Sequence, residues 1–465
     1  MISFILSVLA IILGYVFYSK YVEKVFGIEP DRKTPAIENG DGVDYVPLDW
    51  KRAFLVQFLN IAGLGPIFGA IAGALWGPVA FLWIVFGCIF AGGVHDYFSG
   101  MLSLRHNGIS IAEIVGQYLG VSAKIVMRIF SVILLLLTGV VFVTGPAGIL
   151  ENMTSINKMV WVAVIIVYYM LATVLPVDKI IGKIYPVFGA SLIIMGLGII
   201  IALFAKGYQI PEIQLMNYHP DGKAIFPFLF ITIACGAISG FHATQSPIIS
   251  RCVTNEKEGR RVFYGAMAAE GIVALIWAAA AMTFFGGTAQ LQAAGEPAVI
   301  VSVISTALLG SFGGVLSILG VVACPITSGD TAFRSARLTI ADALKFKQDK
   351  ITNRFLIAIP LFAIGTALCF MDFGIIWRYF AWSNQTLATI VLWASTSYLI
   401  KENKNFLITA FPATFMTAVV VSYILIADEG FKLPGTIGYT VGVIAAILAV
   451  ITTIYQANKA KEQRL

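Results

Sequence analysis

The stretch Cys235-Gly-Ala-Ile-Ser-Gly-Phe-His-Ala-Thr-Gln-Ser-Pro247 lies inside an apolar segment that runs from about 224 to 250. A segment of that length can cross a bilayer as one helix. Yet the stretch contains two glycines, a histidine, a glutamine, three hydroxyl side chains and a proline. Irregular backbone at bilayer depth is tolerated only where protein surrounds it or where it lines a water-filled cavity. The stretch therefore predicts a broken helix at the centre of a membrane protein.

The composition agrees with a membrane protein. Of the 465 residues, 58 % are apolar and 12 % are charged, and that charged share is about half of what a soluble domain carries. The first residues are apolar, with no basic region before them and no small-residue cleavage site after them, so we expect a retained helix. The five cysteines show neither disulfide nor metal-ligand spacing. They are interpreted as packing residues, and no cofactor is predicted.

Runs of about 20 apolar residues, the length of a membrane-spanning helix, divide the chain. Thirteen spans are predicted, at 2–19, 53–75, 78–102, 126–148, 159–176, 184–205, 224–250, 262–285, 312–333, 355–371, 374–400, 406–426 and 435–455. The shorter stretch 297–310 predicts a hairpin-like helix on an outer loop, and 110–119 predicts a short amphipathic helix on the inner side. The expected fold is an all-α polytopic membrane protein.

The positive charges predict the orientation of these spans. If the first span starts outside, the 31 Lys and Arg residues all lie in inner segments except Lys158, Lys206, Lys223, Arg378 and Lys432. Cytoplasmic loops of membrane proteins carry such an excess. The sequence thus predicts a multi-pass protein of the cell membrane, with its N-terminus outside and its C-terminus cytoplasmic. The same excess explains the net charge of +6, so the expected partner is the lipid bilayer, and no nucleic acid is expected.

A second interruption occurs in the span 53–75, at Asn60-Ile-Ala-Gly-Leu-Gly-Pro-Ile-Phe-Gly69. In both interruptions small residues lead to a proline, at Gly65-Pro66 and at Ser246-Pro247, where the helix is expected to restart. Each interruption opens a block of five spans, and two odd-numbered blocks in one chain have inverted topologies. The predicted units are an extra N-terminal helix in 1–25, a first repeat at 53–205, a second repeat at 224–400 and a C-terminal helix pair at 406–456.

Broken helices at matching positions of inverted repeats indicate the binding site of a secondary transporter. The half-helices that restart there direct N–H groups and positive dipole ends towards the centre, where a carboxylate would be stabilised. The half-helices that end there offer carbonyl oxygens to a cation. The structural alternative is a pair of kinked, glycine-packed helices. The residues predicted to bind substrate are Asn60, Gly63, Gly65, Gly236, Ser239, Gly240, His242, Thr244, Gln245 and Ser246.

Five motifs are distributed over about 53–400 and so over both repeats. They are Gly63-Leu-Gly-Pro-Ile-Phe-Gly69, Gly93-Val-His-Asp-Tyr-Phe-Ser-Gly-Met-Leu-Ser-Leu-Arg-His106, Cys235-Gly-Ala-Ile-Ser-Gly-Phe-His242, Pro325-Ile-Thr-Ser-Gly-Asp-Thr-Ala-Phe-Arg334 and Trp382-Ser-Asn-Gln-Thr-Leu-Ala388. Together they resemble the carbon starvation protein A (CstA) family of peptide and pyruvate transporters, in a shorter form. The resemblance implies a leucine-transporter type of fold, with five-plus-five inverted repeats. It also implies that short peptides or pyruvate are transported by means of an ion gradient.

Two acidic residues within the spans are candidates for ion coupling. Glu270 is either a proton-binding carboxyl group or a paired group that locks two helices together. Asp330 is either a coupling residue or the partner of Arg334, four residues further along the same helix face. In the related fold, hydroxyls at the positions of Thr327 and Ser328 form a sodium site with carbonyl oxygens freed at the first broken helix, and a hard cation prefers such ligands. The predicted coupling ion is H⁺ or Na⁺.

The remaining polar residues in the spans have two interpretations each. His95 and Asp96 form either a proton relay or a helix-packing hydrogen bond near an inner gate. His242 either contacts a substrate carboxylate, changing charge with a coupled proton, or caps a loose carbonyl group. Asn384 and Gln385 are neighbours that cannot share one helix face, so at least one is expected to tie helices together.

The sequence thus predicts an ion-coupled secondary active uptake transporter, and not an enzyme. Its predicted substrate is a small carboxylate such as pyruvate, because no acidic residue lies within either interruption to receive the amino group of a peptide. A short-peptide transporter of the same fold is the second candidate. A channel, or an intramembrane metalloenzyme that uses His95, Asp96 and His242, is a more remote alternative, since no HExxH motif is present. The sequence carries no prediction of oligomeric state.

Overall fold

The computed structural model describes residues 1–41, 45–173, 178–348 and 350–462, which form helices and connecting loops. The first half contains α1 Ile2–Phe26, α2 Pro35–Glu38, α3 Trp50–Ile61, α4 Leu64–Trp76, α5 Val79–Arg105, α6 Ile111–Leu119, α7 Val121–Thr154, α8 Lys158–Ala172 and α9 Asp178–Ala205. The second half contains α10 Phe230–Thr232, α11 Gly240–Ser250, α12 Glu256–Phe284, α13 Thr288–Ala293, α14 Pro297–Ala343, α15 Ile351–Leu368, α16 Phe373–Lys401, α17 Leu407–Ile426 and α18 Gly435–Glu462.

Half of these helices have the length and composition of membrane spans. Among the described residues, nine helices are long and apolar enough to cross a membrane, and a tenth is added if α3 and α4 count as one bent span. Their outward-facing apolar side chains are exposed, as expected for surfaces in contact with lipid. The prediction of an all-α polytopic membrane protein is confirmed.

The first broken helix consists of α3 and α4, which are bent by 49° at a break over Ala62 and Gly63. The break lies within the predicted interruption 60–69. α4 begins at Leu64, however, two residues before the predicted restart at Pro66. Pro66 therefore lies in the first turn of α4. The N–H groups of the first turn have no partner within the helix, so the missing N–H of proline costs no helical hydrogen bond there.

The second broken helix consists of α10 and α11, separated by the non-helical segment 233–239. Gly236 has a φ of +88°, a conformation that favours glycine, and α11 begins at Gly240. The predicted restart at Ser246-Pro247 is wrong, because Pro247 lies inside α11. The physical reason is that the start of α11 finds a hydrogen-bond partner outside the helix. The Asn384 side chain accepts the Phe241 N–H at 2.7 Å, and no proline is needed there.

The two breaks pack directly against each other. A Cβ atom at Gly65 would lie 2.4 Å from Cys235 Sγ, and a Cβ atom at Gly236 would lie 2.5 Å from Ala274 Cβ and 3.8 Å from Pro66 Cα. Gly65 thus lets α4 approach the segment 233–239 more closely than a Cβ atom would allow, and Gly236 does the same for α12, which carries Ala274. We call the contact of Gly65 and Pro66 with Cys235 and Gly236 the junction.

α14 reverses direction at Gly310, whose φ and ψ of 64° and −152° are not helical. Ser305 and Ser317, on either side of Gly310, both contact Met195 Sδ, at 3.9 and 3.7 Å. In a straight helix they would be separated by about 18 Å, so the two arms fold back on each other. The reversal agrees with the predicted hairpin-like helix at 297–310, and its position on an outer loop stays a prediction.

The peripheral helices support this centre. α6 is the short amphipathic helix predicted at 110–119, and it packs against α7 and α16. α17 and α18 pack against each other as the predicted C-terminal pair, and α17 also packs against α16. The end of the predicted span 159–176 and the start of the inner segment 177–183 lie outside the described residues.

Candidate functional site

Four ionisable side chains form a chain of contacts beside the junction. Asp96 of α5 accepts at Oδ1 from His95 Nδ1 and at Oδ2 from His242 Nδ1 of α11, both at 2.8 Å. His242 Nε2 lies 3.3 Å from Glu270 Oε2 of α12. All four side chains are completely buried. The structure thus joins the predicted pair of His95 and Asp96 to His242 and Glu270, and we call these four residues the central cluster.

The end of the central cluster at Glu270 has unpaired polar atoms. Within the described parts of the chain, His242 Nε2 and both carboxylate oxygens of Glu270 have no hydrogen-bond partner, because their 3.3 Å contact lacks hydrogen-bond alignment. Since Asp96 accepts the proton on His242 Nδ1, a neutral His242 presents a lone pair at Nε2. An ionised Glu270 also presents only acceptors. The contact is therefore favourable only with a positive charge between the two groups, either a proton or a metal cation.

Asn384 and Gln385 of α16 supply hydrogen bonds that the second broken helix needs. Asn384 Oδ1 accepts from the Ser239 hydroxyl at 3.2 Å and from the Phe241 N–H at 2.7 Å. Gln385 Nε2 donates to the carbonyl oxygen of Phe230 at 2.6 Å. The prediction that at least one of these amides ties helices together is confirmed, and both of them serve the same break.

The residues predicted to bind substrate divide into two groups. One group lies at or beside the breaks and contains Asn60, Gly63, Gly65, Gly236, Ser239, Gly240 and His242. Thr244, Gln245 and Ser246 lie instead in the body of α11, where the hydroxyls of Thr244 and Ser246 donate to carbonyl oxygens of their own helix at 2.6 and 2.9 Å. Only the first group meets the irregular backbone of the breaks.

The residues predicted to bind a cation on α14 are engaged with their own helix. The hydroxyls of Thr327 and Ser328 donate to the Cys324 carbonyl oxygen at 2.7 and 3.2 Å, and Asp330 forms an ion pair with Arg334 at 3.2 Å. Cys324 Sγ itself lies 3.8 Å from a carbonyl oxygen of α3. α14 therefore passes the first broken helix, while its hydroxyl groups are turned back onto α14.

Two further buried residues, Cys235 and Gln57, are not among the predicted site residues. Cys235, interpreted as a packing residue, accepts a hydrogen bond from Asn384 Nδ2 at 3.5 Å and donates to the Ser239 hydroxyl at 3.4 Å. Gln57 of α3 is completely buried, and neither of its amide atoms has a partner in the described residues. A glutamine in an otherwise apolar part of a span is the sequence signal that identifies such a residue.

A second group of polar residues, centred on the buried Glu256, joins the segment after α1 to α5, α12 and α16, and we call it the arginine network. Arg105 Nε and Nη2 donate to the two carboxylate oxygens of Glu256 at 3.0 and 2.9 Å. Arg105 Nη1 donates to the Tyr398 hydroxyl at 2.9 Å, and Nη2 also donates to the Gly27 carbonyl oxygen at 2.6 Å. The backbone N–H of Glu29 donates to Glu256 at 2.7 Å. The sequence identifies Arg105 only as an inner positive charge.

Known proteins related in sequence include transporters. An uncharacterised membrane protein of Haemophilus influenzae is 43 % identical over 346 residues, which cover 63 % of this chain and 93 % of that protein. The pyruvate/proton symporter BtsT of Escherichia coli is 29 % identical over 58 % of this chain and 47 % of its own length. The peptide transporter CstA of Escherichia coli is 28 % identical over 58 % of this chain and 48 % of its own length. The chain thus spans about half the length of these two transporters.

Solved structures of transporters share the fold. Mhp1, a nucleobase-cation-symport-1 family transporter, in a closed conformation is 13 % identical, with a TM-score of 0.55 over 90 % of this chain and 96 % of that chain. A manganese transporter of Eremococcus coleocola is 12 % identical, with a TM-score of 0.52 over 90 % and 99 %. Both have the leucine-transporter type of fold. The model of the family described as carbon starvation protein CstA matches residues 1–147, 144–288 and 278–423. With nearly its whole length matched, this chain belongs to the carbon starvation protein CstA family, whose named members are transporters and not enzymes.

Proposed function

We propose that this chain is a proton-coupled secondary active transporter for a small carboxylate such as pyruvate, and that it works by alternating access around the two broken helices. The observation that carries the proposal is the central cluster, in which His242 and Glu270 face each other without a hydrogen bond beside the junction. Ionisable groups buried within membrane spans are retained where they move ions or substrate. The relative BtsT is named a pyruvate/proton symporter, which agrees with the proposed substrate and ion.

The architecture that supports this function has thirteen spans, of which 53–205 and 224–400 form inverted repeats of five. Length and composition give up to ten spans. The other three are α8, α16 and the second broken helix. α8 is apolar but has only 15 described residues, α16 contains the polar residues Asn384 and Gln385, and the second broken helix is interrupted at 233–239. In this arrangement the N-terminus is outside and the C-terminus is cytoplasmic, an orientation that the distribution of Lys and Arg favours.

The proton is held between His242 and Glu270. Asp96 fixes the ring of His242 through Nδ1, so that Nε2 faces Glu270. With a proton on either group, a hydrogen bond forms across the contact and draws α11 towards α12. Without that proton, two acceptors face each other and the contact is unfavourable. Protonation therefore favours the closed junction, and loss of the proton favours its opening.

The carboxylate is received at the junction. α4 and α11 both begin there, so the positive ends of their dipoles and their first-turn N–H groups face the same region. Asn384 holds the Phe241 N–H in the closed arrangement. A substrate carboxylate would replace this neutral amide oxygen with a charged one, and charge-assisted hydrogen bonds are the stronger kind.

A short-peptide transporter is the second candidate. A peptide brings an amino group as well as a carboxylate, and the two unpaired oxygens of Glu270 could accept it. The relatives named CstA are peptide transporters. Sodium bound by Thr327 and Ser328 is the alternative coupling ion, and it requires their hydroxyls to turn away from the Cys324 carbonyl oxygen.

The test is uptake into liposomes by the purified protein, with labelled pyruvate or labelled dialanine and with proton and sodium gradients imposed separately. We expect pyruvate to accumulate against its gradient when the lumen is alkaline, and a protonophore to abolish this. The His242→Ala variant should show only the uptake of empty liposomes. Accumulation of dialanine alone would favour the second candidate, and accumulation driven only by sodium would move the coupling site to α14. If neither solute accumulates under either gradient, the proposed function is wrong.

A further inference from the structure

Three side chains with different metal-binding chemistry converge at the junction. A sulfur atom of Cys235, a ring nitrogen of His242 and a carboxylate oxygen of Glu270 all lie within 4.8 Å of one another. Cys235 is 3 % exposed, and the other two are completely buried. The Cys235 thiol is hydrogen-bonded to Asn384 and Ser239. Its sulfur also lies in the same group as His242 and Glu270, and a proton shared between those two residues does not involve it.

Apart from the Cys235 sulfur, the atoms directed at this point lack hydrogen bonds among the described residues. They are His242 Nε2 and both oxygens of Glu270, none of which has a partner in the part of the chain that the structure describes. His242 Nδ1, in contrast, is bound by Asp96 at 2.8 Å. A carboxylate on one ring nitrogen fixes the tautomer and leaves the lone pair of the other nitrogen free, which is the usual arrangement behind a metal-binding histidine.

We propose that Cys235, His242 and Glu270 bind a divalent transition-metal ion of the zinc type. A thiolate, an imidazole and a carboxylate are all normal ligands of Zn²⁺, whereas Na⁺, Mg²⁺ and Ca²⁺ prefer sets made of oxygen. Three protein ligands leave the fourth tetrahedral position for water or for a substrate carboxylate. The inference stands on the geometry of these side chains and needs neither the proposed substrate nor the proposed coupling ion.

The present geometry is close to that of a bound site. Zinc–ligand bonds of about 2.0–2.3 Å place tetrahedral ligand atoms roughly 3.3–3.8 Å apart. Contraction from the present separations of up to 4.8 Å thus requires movements of about 1 Å, which side-chain rotation can supply. A bound ion would join the segment 233–239 to α12 and so hold the junction closed. Because the ligands are buried, the ion enters only when the junction opens, and we expect slow binding.

The test is a titration of the purified, metal-free protein in detergent with Co²⁺ alone, followed by absorption spectroscopy. Cobalt replaces zinc in such sites and reports its ligands. We expect visible bands typical of tetrahedral Co²⁺, together with a near-ultraviolet band from charge transfer between thiolate and cobalt. Added Zn²⁺ should remove both sets of bands, whereas Mg²⁺ should leave them unchanged.

Three variants and a matched control identify the ligands. Cys235→Ser should lose the charge-transfer band, and Glu270→Gln should weaken Co²⁺ binding. Asp96→Asn should weaken binding by about 10–100-fold, as is usual for the group that orients a ligand. Cys369→Ser, which removes another buried cysteine at the end of α15, should bind Co²⁺ as the unmodified chain does.

The proposal is overturned if the unmodified chain gives no charge-transfer band, or if Cys235→Ser retains it. If Cys235→Ser does not fold, Glu270→Gln decides the matter, and an unchanged Co²⁺ affinity in that variant overturns the site. The titration contains no substrate and no gradient. A failure of pyruvate uptake therefore leaves its result intact, and a failure of metal binding leaves the proposed transport function untouched.

Discussion

The central cluster and the arginine network are both groups of charged side chains that contain a buried carboxylate, but their hydrogen bonding differs. In the arginine network, both oxygens of Glu256 are bound by Arg105, and a backbone N–H adds a further bond. In the central cluster, both oxygens of Glu270 are without a hydrogen bond among the described residues. The hydrogen bonds of the Glu256 carboxylate are thus made, whereas the Glu270 carboxylate faces another hydrogen-bond acceptor.

This difference predicts a structural role for the arginine network and a functional role for the central cluster. A buried ion pair with its remaining hydrogen bonds made fixes the geometry of the elements that it joins. Here the arginine network joins the segment after α1 to α5, α12 and α16 at one end of the molecule. A buried carboxylate left without partners is unfavourable by itself and is retained where it exchanges a proton, an ion or a substrate. The two regions should therefore respond oppositely to loss of their carboxylates.

The largest effect is expected for Glu270→Gln. The introduced amide can donate a hydrogen bond to His242 Nε2 but cannot take up and release a proton. We expect proton-driven accumulation of pyruvate to fall to the level of empty liposomes, while the free energy of unfolding in detergent stays equal or rises by about 1 kcal/mol. The matched control is Glu296→Gln, which changes a half-exposed carboxylate paired with Lys158 and should leave uptake unchanged. Normal accumulation of pyruvate against its gradient by Glu270→Gln would show that the Glu270 carboxyl group does not couple proton movement to transport.

The next effect concerns stability and is expected for Glu256→Ala. Removal of one partner from a buried ion pair destabilises by up to about 3–5 kcal/mol, and here the half-exposed Glu29, 3.5 Å from Arg105 Nη2, offsets part of the remaining charge. We expect that loss in a denaturant titration of the detergent-solubilised protein. The double variant Arg105→Met with Glu256→Leu should recover much of it, because no charge is then left buried. A loss below about 1 kcal/mol in Glu256→Ala would mean that the arginine network does not hold these helices together.

The sequence predicts the positions of both breaks. Lipid offers no hydrogen-bond partner to irregular backbone, so glycines within an apolar span indicate a place where other parts of the protein supply those hydrogen bonds. His95 and Asp96 can be paired from their adjacency. The contact between Asp96 and His242 joins residues 146 apart, and the one between Arg105 and Glu256 joins residues 151 apart. No local pattern encodes such pairs. The wrong restart at Pro247 has the same origin, since the partner that lets α11 begin at Gly240 is Asn384 on a distant helix.

A moderate effect is expected for Asn384→Ala, which removes that partner. The Phe241 N–H and the Ser239 hydroxyl then lose their acceptor, and a buried donor without a partner destabilises by about 1–3 kcal/mol. We expect a corresponding decrease in the free energy of unfolding, together with weaker apparent affinity for pyruvate. Thr386→Ala on the same helix is the control, because the Thr386 hydroxyl only donates to a carbonyl oxygen of α16. Equal free energies of unfolding for the two variants would show that Asn384 does not stabilise the start of α11.

The smallest effect is expected for Ser99→Ala, one turn from Asp96 on α5. Ser99 Oγ donates to the Asp96 carbonyl oxygen at 3.1 Å and lies 3.2 Å from the Ser246 hydroxyl, which also donates to the His242 carbonyl oxygen at 2.9 Å. Because Ser246 keeps that bond, the change should destabilise by about 1 kcal/mol or less and leave the pH dependence of pyruvate uptake unchanged. If the pH profile moves while the stability does not, the functional unit extends from the central cluster along the contact between α5 and α11. The residues that take part in proton coupling would then extend along α5 towards the arginine network, further than the unpaired atoms of the central cluster indicate.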